Sequence, residues 1–177
     1  MQPHCGRRAD VRQHLDPRPC LGSGRKRGQQ GQALGRSRGG FGTKIHFKCD
    51  LAGDPLDFHL TGNEASDSRQ FETLLEIGPE VTPRGVITDK GYDAKANRAA
   101  ARSRGICPVI PHRSNAKDQP TFLPKRLYKL RARIEQFLGK IKRFKRVAMR
   151  CEKTKQNYAA FVALACGFVL VKTVHTA

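Results

Sequence analysis

The stretch LYKLRARIEQFLGKIKRFKRV, Leu127 to Val147, decides how this chain is read. Its apolar residues Leu127, Leu130, Ile134, Phe137, Leu138, Ile141 and Phe144 recur at three- and four-residue steps, the pattern of a helix with one buried stripe. The spacing predicts a single amphipathic helix. At about 100° of rotation per residue, Tyr128, Arg131, Glu135 and Lys142 fall in a narrower arc beside that stripe. One helix edge therefore presents a phenol, two cations and a carboxylate in a row.

Solvated helices usually pair acids with bases at i,i+4, and this one largely cannot. From Lys125 to Lys155 thirteen Lys or Arg face only Glu135 and Glu152. Glu135 reads in two ways. It is a salt-bridge partner for Arg131 one turn earlier, or a metal-binding carboxylate at the lip of a basic groove, which requires a second acid from elsewhere.

The whole chain carries the same imbalance. Its 177 residues hold 34 Lys and Arg against 15 Asp and Glu, a formal charge of +19 that no internal pairing can absorb. A polyanionic partner is implied, nucleic acid first among them. A membrane partner is not expected, because a basic surface helix would show exposed Leu or Trp and the chain has no Trp. With 38% apolar residues the chain can bury a single modest core. The six cysteines, at 5, 20, 49, 107, 151 and 166, form no C-x-x-C pair, so neither a zinc site nor a disulfide framework is indicated. No apolar leader stands at the N-terminus, and a reducing, cytoplasmic setting with access to nucleic acid is expected. The longest apolar run, Tyr158 to Val171, has fourteen residues where a spanning helix needs about 20. It reads as a buried helix packing on a sheet, with a homodimer contact as the alternative.

Residues 1 to 40 are poor in large apolar side chains and rich in Gly, Arg, Pro and Gln. Such a segment buries too little to offset its ordering entropy, so a flexible basic arm is expected. It ends in GRSRGG, Gly35 to Gly40, whose Arg36 and Arg38 could meet phosphates; the segment reads equally as a basic linker. From Phe41 the texture changes. Thr43, Ile45 and Phe47 alternate with Lys44, His46 and Lys48, a half-buried strand. DLAGDP, Asp50 to Pro55, is turn chemistry, and Leu56, Phe58 and Leu60 alternate again to complete a hairpin.

Asp67 reads as the N-cap of a helix burying Phe71, Leu74 and Leu75 and stopping at Gly78-Pro79. Val86-Ile87-Thr88 has the composition of a buried strand, and Asp89 follows at its carboxyl end. Ala94 to Ser103 is helical, and Ile106 to Ile110 is another strand. This order implies an α/β fold with a mixed sheet flanked by helices. In such sheets sites form outside the carboxyl ends of strands. Asp89 stands there, with Lys90 beside it. It reads either as a helix cap or as a ligand, since a carboxylate at an apolar strand end is costly to desolvate without a cation or metal.

Tyr128, Arg131, Glu135 and Lys142, separated by two, three and six residues, resemble the Y-(2)-R-(3)-E-(6)-K signature of bacterial insertion-sequence transposases of the DDE class. GRSRGGFGTKIH, LTGNEASDS, TDKGYDA and PVIPHR also resemble blocks of the insertion sequence five branch of that group. The resemblance covers roughly residues 33 to 170. It implies a ribonuclease-H-like core over residues 41–177 in which three carboxylates hold two Mg²⁺ ions, with Mn²⁺ as a substitute. By this resemblance Asp89 is the second acid and Glu135 the third, while Tyr128, Arg131 and Lys142 contact DNA phosphates. The first acid belongs on a strand some twenty residues before GRSRGG. Asp10 and Asp16 lie at suitable distances, but Pro17 and Pro19 disfavour a central strand there. The core is therefore expected to lack its first strand, residues 1 to about 24 being degenerate or out of frame. The expected function is a DNA transposase catalytic fragment, impaired by loss of one acid. The alternative is a non-catalytic basic DNA-binding protein, and a small ribosome-associated protein ranks last.

Overall fold

A computed structural model of the chain describes residues 4–9, 31–37, 40–113 and 124–175. In chain order these form β1 (His4–Ala9), β2 (Gly35–Ser37), β3 (Gly40–Cys49), β4 (Pro55–Gly62), α1 (Phe71–Glu76), β5 (Gly85–Ile87), α2 (Lys95–Ser103), β6 (Cys107–Val109), α3 (Lys125–Lys129), α4 (Arg131–Ile141), α5 (Lys145–Ala148) and α6 (Lys155–His175). The fold is mixed α/β. Its chain divides into two compact units, the first from Met1–Arg8, His46–His59 and Ser66–Phe137, the second from Ala9–Ile45, Leu60–Ala65 and Leu138–Ala177.

In the first unit the strand order is β3-β1-β5-β6, with β4 pairing β3. β5 pairs parallel with β6, Val86 opposite Pro108 and Ile87 opposite Val109. Parallel neighbours need a crossover, and α2 supplies it. β1 pairs parallel with β5 on its other side, His4 opposite Val86 and Cys5 opposite Ile87. The sheet thus has the N-terminal strand it was expected to lack. Its sequence, HCGRRA, contains no β-branched or aromatic residue, so strand propensity passes over it; parallel pairing with β5 supplies its order instead. The expected flexibility of residues 10–30, with Asp10 and Asp16, lies outside the described residues.

The hairpin β3–β4 forms where its turn residues predict. The Asp50 carboxylate accepts the Gly53 and Asp54 N–H groups, both at 2.9 Å. Gly53 sits at φ +93°, and a Cβ there would lie 3.1 Å from the Arg133 carbonyl oxygen on α4. Gly53→Ala is accordingly expected to destabilise the chain by about 1–3 kcal/mol, read as a lower urea midpoint; an unchanged midpoint would show that the turn relaxes freely.

The half-buried reading of β3 is corrected. Thr43 through Cys49 are buried on both faces, Lys44 and Lys48 included. The lysines survive burial because their ammonium groups reach backbone carbonyls. Lys48 Nζ donates to Leu75 O at 3.2 Å and Ile77 O at 2.7 Å, at the carboxyl end of α1, where a helix favours a cation. Burial nevertheless holds the Lys48 ammonium below its ordinary pKa, against the pull of Asp57. Asp67 is also corrected. It opens a 3-10 turn, Asp67–Gln70, whose N-cap is Ser66 and which has no side-chain cap bond. Phe71, Leu74, Val86, Tyr92, Ala101, Ile106 and Ile110 form the core beneath β5 and β6.

The single helix expected over Leu127–Val147 is three. Leu130 separates α3 from α4 while keeping helical angles, φ −60° and ψ −16°, and residues 142–144 separate α4 from α5. Ile134, Phe137 and Ile141 are buried as the stripe predicts, whereas Leu127 is 41% exposed.

In the second unit β2 pairs antiparallel with the start of β3, Gly35 opposite Gly42. Thr43 Oγ1 donates to Ala33 O at 2.6 Å. Arg150, buried, donates to Ala33 O at 2.8 Å and Gln32 O at 2.6 Å. The buried Tyr158 hydroxyl donates to Val147 O at 2.8 Å, and burial pushes that phenol up to about 12. α6 runs 21 residues, beyond the fourteen of its apolar run, and is long and apolar enough to cross a membrane by length and composition. The expectation of a wholly buried helix is corrected. One stripe, Tyr158, Val162, Ala165, Cys166 and Val169, is buried, while Leu164, Phe168, Val171 and Val174 are exposed.

Candidate active site

The carboxyl end of β5 positions the first acid. Val86, Ile87 and Thr88 are buried, and the chain surfaces at Asp89, which is partly exposed. Its carboxylate accepts the Lys90 N–H at 2.5 Å and so caps the 3-10 turn Lys90–Tyr92. The capping role read from the sequence is present. It engages Oδ1, and a carboxylate oxygen has lone pairs to spare for a cation.

That turn is held from beneath and from one side. Tyr92 is fully buried, its hydroxyl 3.2 Å from Nδ1 of the equally buried His46 on β3. A Cβ on Gly91 would come 3.1 Å from an Asp67 carboxylate oxygen, so a side chain there would have to push that carboxylate back by a few tenths of an ångström. Asn97 of α2 donates to Tyr92 O at 2.9 Å and Ser68 O at 3.0 Å. Asp93 then locks the turn to the chain leaving β6. It accepts from Arg98 Nη2 at 2.9 Å and from the Arg113 N–H at 2.8 Å, with His112 Nδ1 at 3.6 Å. Burial works to raise the Asp93 pKa, but the Arg113 N–H, the Arg98 guanidinium and His112 outweigh it and hold the carboxyl below its usual range. Sequence reasoning missed this clamp. Asp93 and Arg113 lie in the blocks TDKGYDA and PVIPHR, but nothing in either block marks them as partners.

The second acid comes from α4. Arg131 stands between the other two members of the row. Its Nη1 donates to the Tyr128 hydroxyl at 3.0 Å and its Nη2 to Glu135 Oε1 at 2.5 Å, while the guanidinium lies 5.7 Å from the Tyr128 ring centroid. The Arg131–Glu135 salt bridge read from the i,i+4 spacing is therefore present. Burial first, and then the charges of Asp89 and Glu135, push the Tyr128 phenol above its ordinary pKa.

The remaining members are placed differently. Lys90 is exposed beside Asp89. Lys142 is exposed and follows the last residue of α4, its N–H still bonded to Leu138 O at 3.0 Å. Arg36, exposed on β2, lies 6.0 Å from the Phe41 ring centroid. Arg38 is outside the described residues. Among the described residues no set of three His, Cys, Asp or Glu side chains converges as a metal centre. The pair Asp89 and Glu135 offers hard oxygen donors, which suit Mg²⁺ or Mn²⁺.

Comparison with known proteins adds to this geometry. A family profile described as "Transposase DDE domain" matches residues 11–170, beginning upstream of residue 33, where the sequence resemblance was read. A Brucella ovis protein named as a transposase for insertion sequence element IS6501 is 38% identical over 134 residues, 73% of this chain and 98% of that protein. A Burkholderia cepacia protein named as a transposase for insertion sequence element IS402 is 31% identical over 145 residues, 77% of this chain and 66% of that protein. With the tyrosine, arginine and glutamate of the signature joined on α3 and α4 and Asp89 at the end of β5, the chain belongs to the DDE-type transposases of bacterial insertion sequences.

Proposed function

We propose that this chain is the catalytic-core polypeptide of a DNA transposase with a ribonuclease-H-like arrangement, in which Asp89 and Glu135 are two of the acids that hold the divalent cation. The observation that carries the reading is the row Tyr128, Arg131 and Glu135, joined by the two Arg131 hydrogen bonds, in a chain that sets Asp89 at the carboxyl end of β5. Mg²⁺, or Mn²⁺ in its place, would supply Lewis-acid stabilisation of charge on phosphate oxygens when bound. The chain's own residues do the rest. Asp89 and Glu135 provide oxygen ligands, Arg131 and Tyr128 meet a backbone phosphate beside them, and the cations Lys90, Lys142, Arg36 and Arg38 are further DNA-contacting residues. A charge of +19 makes that binding steeply salt-dependent. Such a protein works where bacterial DNA is, in the cytoplasm.

Among the described residues Asp89 and Glu135 are two of the three acids this chemistry uses, and Asp10 and Asp16 lie outside those residues. We expect little or no strand transfer by the polypeptide alone. Mn²⁺ titration followed by electron paramagnetic resonance checks the site: Asp89→Asn and Glu135→Gln should each weaken binding at least about tenfold, since losing even a residue that only supports a ligand costs about 10–100-fold. DNA binding should persist in both variants and fall with salt. Metal binding unchanged in both would reject the metal site and leave the other reading, a non-catalytic basic DNA-binding protein, which the charge alone supports. Nicking of inverted-repeat DNA by the purified chain would reject the impairment.

A further inference from the structure

We propose that Arg113 is a phosphate-binding residue of the active site, whose guanidinium holds a DNA backbone phosphate beside Asp89. As a contact of that site it rests on Asp89 having the role proposed above. It names a contact that the signature row on α3 and α4 does not supply.

Strand pairing brings the two residues to one place. β5 and β6 run parallel with Ile87 opposite Val109, so their carboxyl ends lie side by side, where open α/β sheets build their sites. Asp89 leaves the end of β5, and Arg113 follows the end of β6. The Arg113 main chain does the structural work. Its N–H donates to Asp93 Oδ2 at 2.8 Å, while Asp93 Oδ1 accepts from Arg98.

The side chain is left for another task. Arg113 is exposed, and its side chain reaches the turn after β5, where Nε makes a long bond of 3.4 Å to the carbonyl of Lys90, the neighbour of Asp89 in the chain. Nη1 and Nη2 have no acceptor among the described residues. Two such donors on one planar fork match two oxygens of a phosphate, and contacts of this kind position DNA without reading its bases. The acid alone would turn a phosphate away, because like charges repel. The guanidinium offsets that repulsion.

The test is the affinity of the full chain, without added metal, for a short fluorescent double-stranded oligonucleotide across a salt series. Arg113→Ala leaves the N–H to Asp93 in place. It should weaken binding about threefold or more at low salt and lower the slope of log affinity against log salt by about one, the share of one neutralised phosphate. A role confined to the turn would move stability and not that slope. Arg113→Lys keeps the charge without the fork, so it should keep the slope and lose part of the affinity. Arg102→Ala removes an equal charge from the exposed end of α2 and should leave both unchanged. Asp89→Asn should tighten binding in the wild type and do so less in Arg113→Ala, since both residues face one phosphate. An unchanged slope in Arg113→Ala, an equal effect of Arg102→Ala, or equal gains from Asp89→Asn in both backgrounds would overturn the assignment. Mn²⁺ binding insensitive to Asp89→Asn would instead reject the metal site and leave Arg113 a DNA contact of a non-catalytic protein.

Discussion

Phe137→Ala is expected to destabilise the chain by about 3–5 kcal/mol, the cost of deleting a buried aromatic ring and leaving its cavity. Phe137 is 2% exposed. Its ring packs edge-on against Phe47 of β3, centroids 5.0 Å apart, and Phe47 in turn meets Phe58 of β4 at 5.9 Å. The loss is thus a large share of the roughly 5–15 kcal/mol that holds a domain folded. Chemical denaturation checks it, with Phe137→Leu losing less because most of the volume is kept. The substitution also bears on the site. Phe137 lies two residues beyond Glu135 and seats α4 on the sheet, so a partly unseated helix should weaken Mn²⁺ binding as well. A loss under about 1 kcal/mol would mean that α4 is held by other contacts.

Asp93→Ala is the second large effect, about 3 kcal/mol or more. The Asp93 and Arg98 side chains are only 10% and 12% exposed, and removing one partner leaves the other charged and buried. Among the described residues Arg98 then keeps its side-chain bond to Ile110 O, at 2.8 Å, and the Arg113 N–H loses its Asp93 acceptor. Acid offers an independent check. The folded Asp93 carboxyl titrates below its ordinary 3.8, so the folded state favours the ionised form. That stability is fully present above the unfolded value and is lost as pH falls through the folded one. The wild type should therefore lose stability on acidification below about pH 4, and Asp93→Asn should show a smaller acid-dependent loss while being less stable at neutral pH. Identical acid profiles would show that another carboxylate carries the dependence.

The clamp and the row of side chains differ in how readable they were. Tyr128, Arg131 and Glu135 lie within eight positions of one another, and helical geometry alone puts residues three and four apart side by side. Asp93, Arg98 and Arg113 meet across a strand, a helix end and a loop. No period links them. Lys44 and Lys48 mislead for a related reason. Their alternation with apolar residues is that of a one-sided strand, yet Ala65, Leu75 and Ile77 bring carbonyls over the other face. Whether a lysine head is stranded or satisfied depends on chain that arrives from twenty or more residues away.

By itself the sequence determined the excess of positive charge, the turn at Asp50–Asp54, the apolar stripe of α4 and the signature that names the family, because each is recorded in composition or in short-range spacing. Only the tertiary structure decided that HCGRRA is a strand beside β5, that β3 is covered on both faces, that α6 keeps an apolar face exposed, and that Asp93 is held between Arg98 and the Arg113 N–H. Strand pairing, desolvation and the convergence of distant charges are fixed by which surfaces meet. No local pattern of residues encodes that meeting.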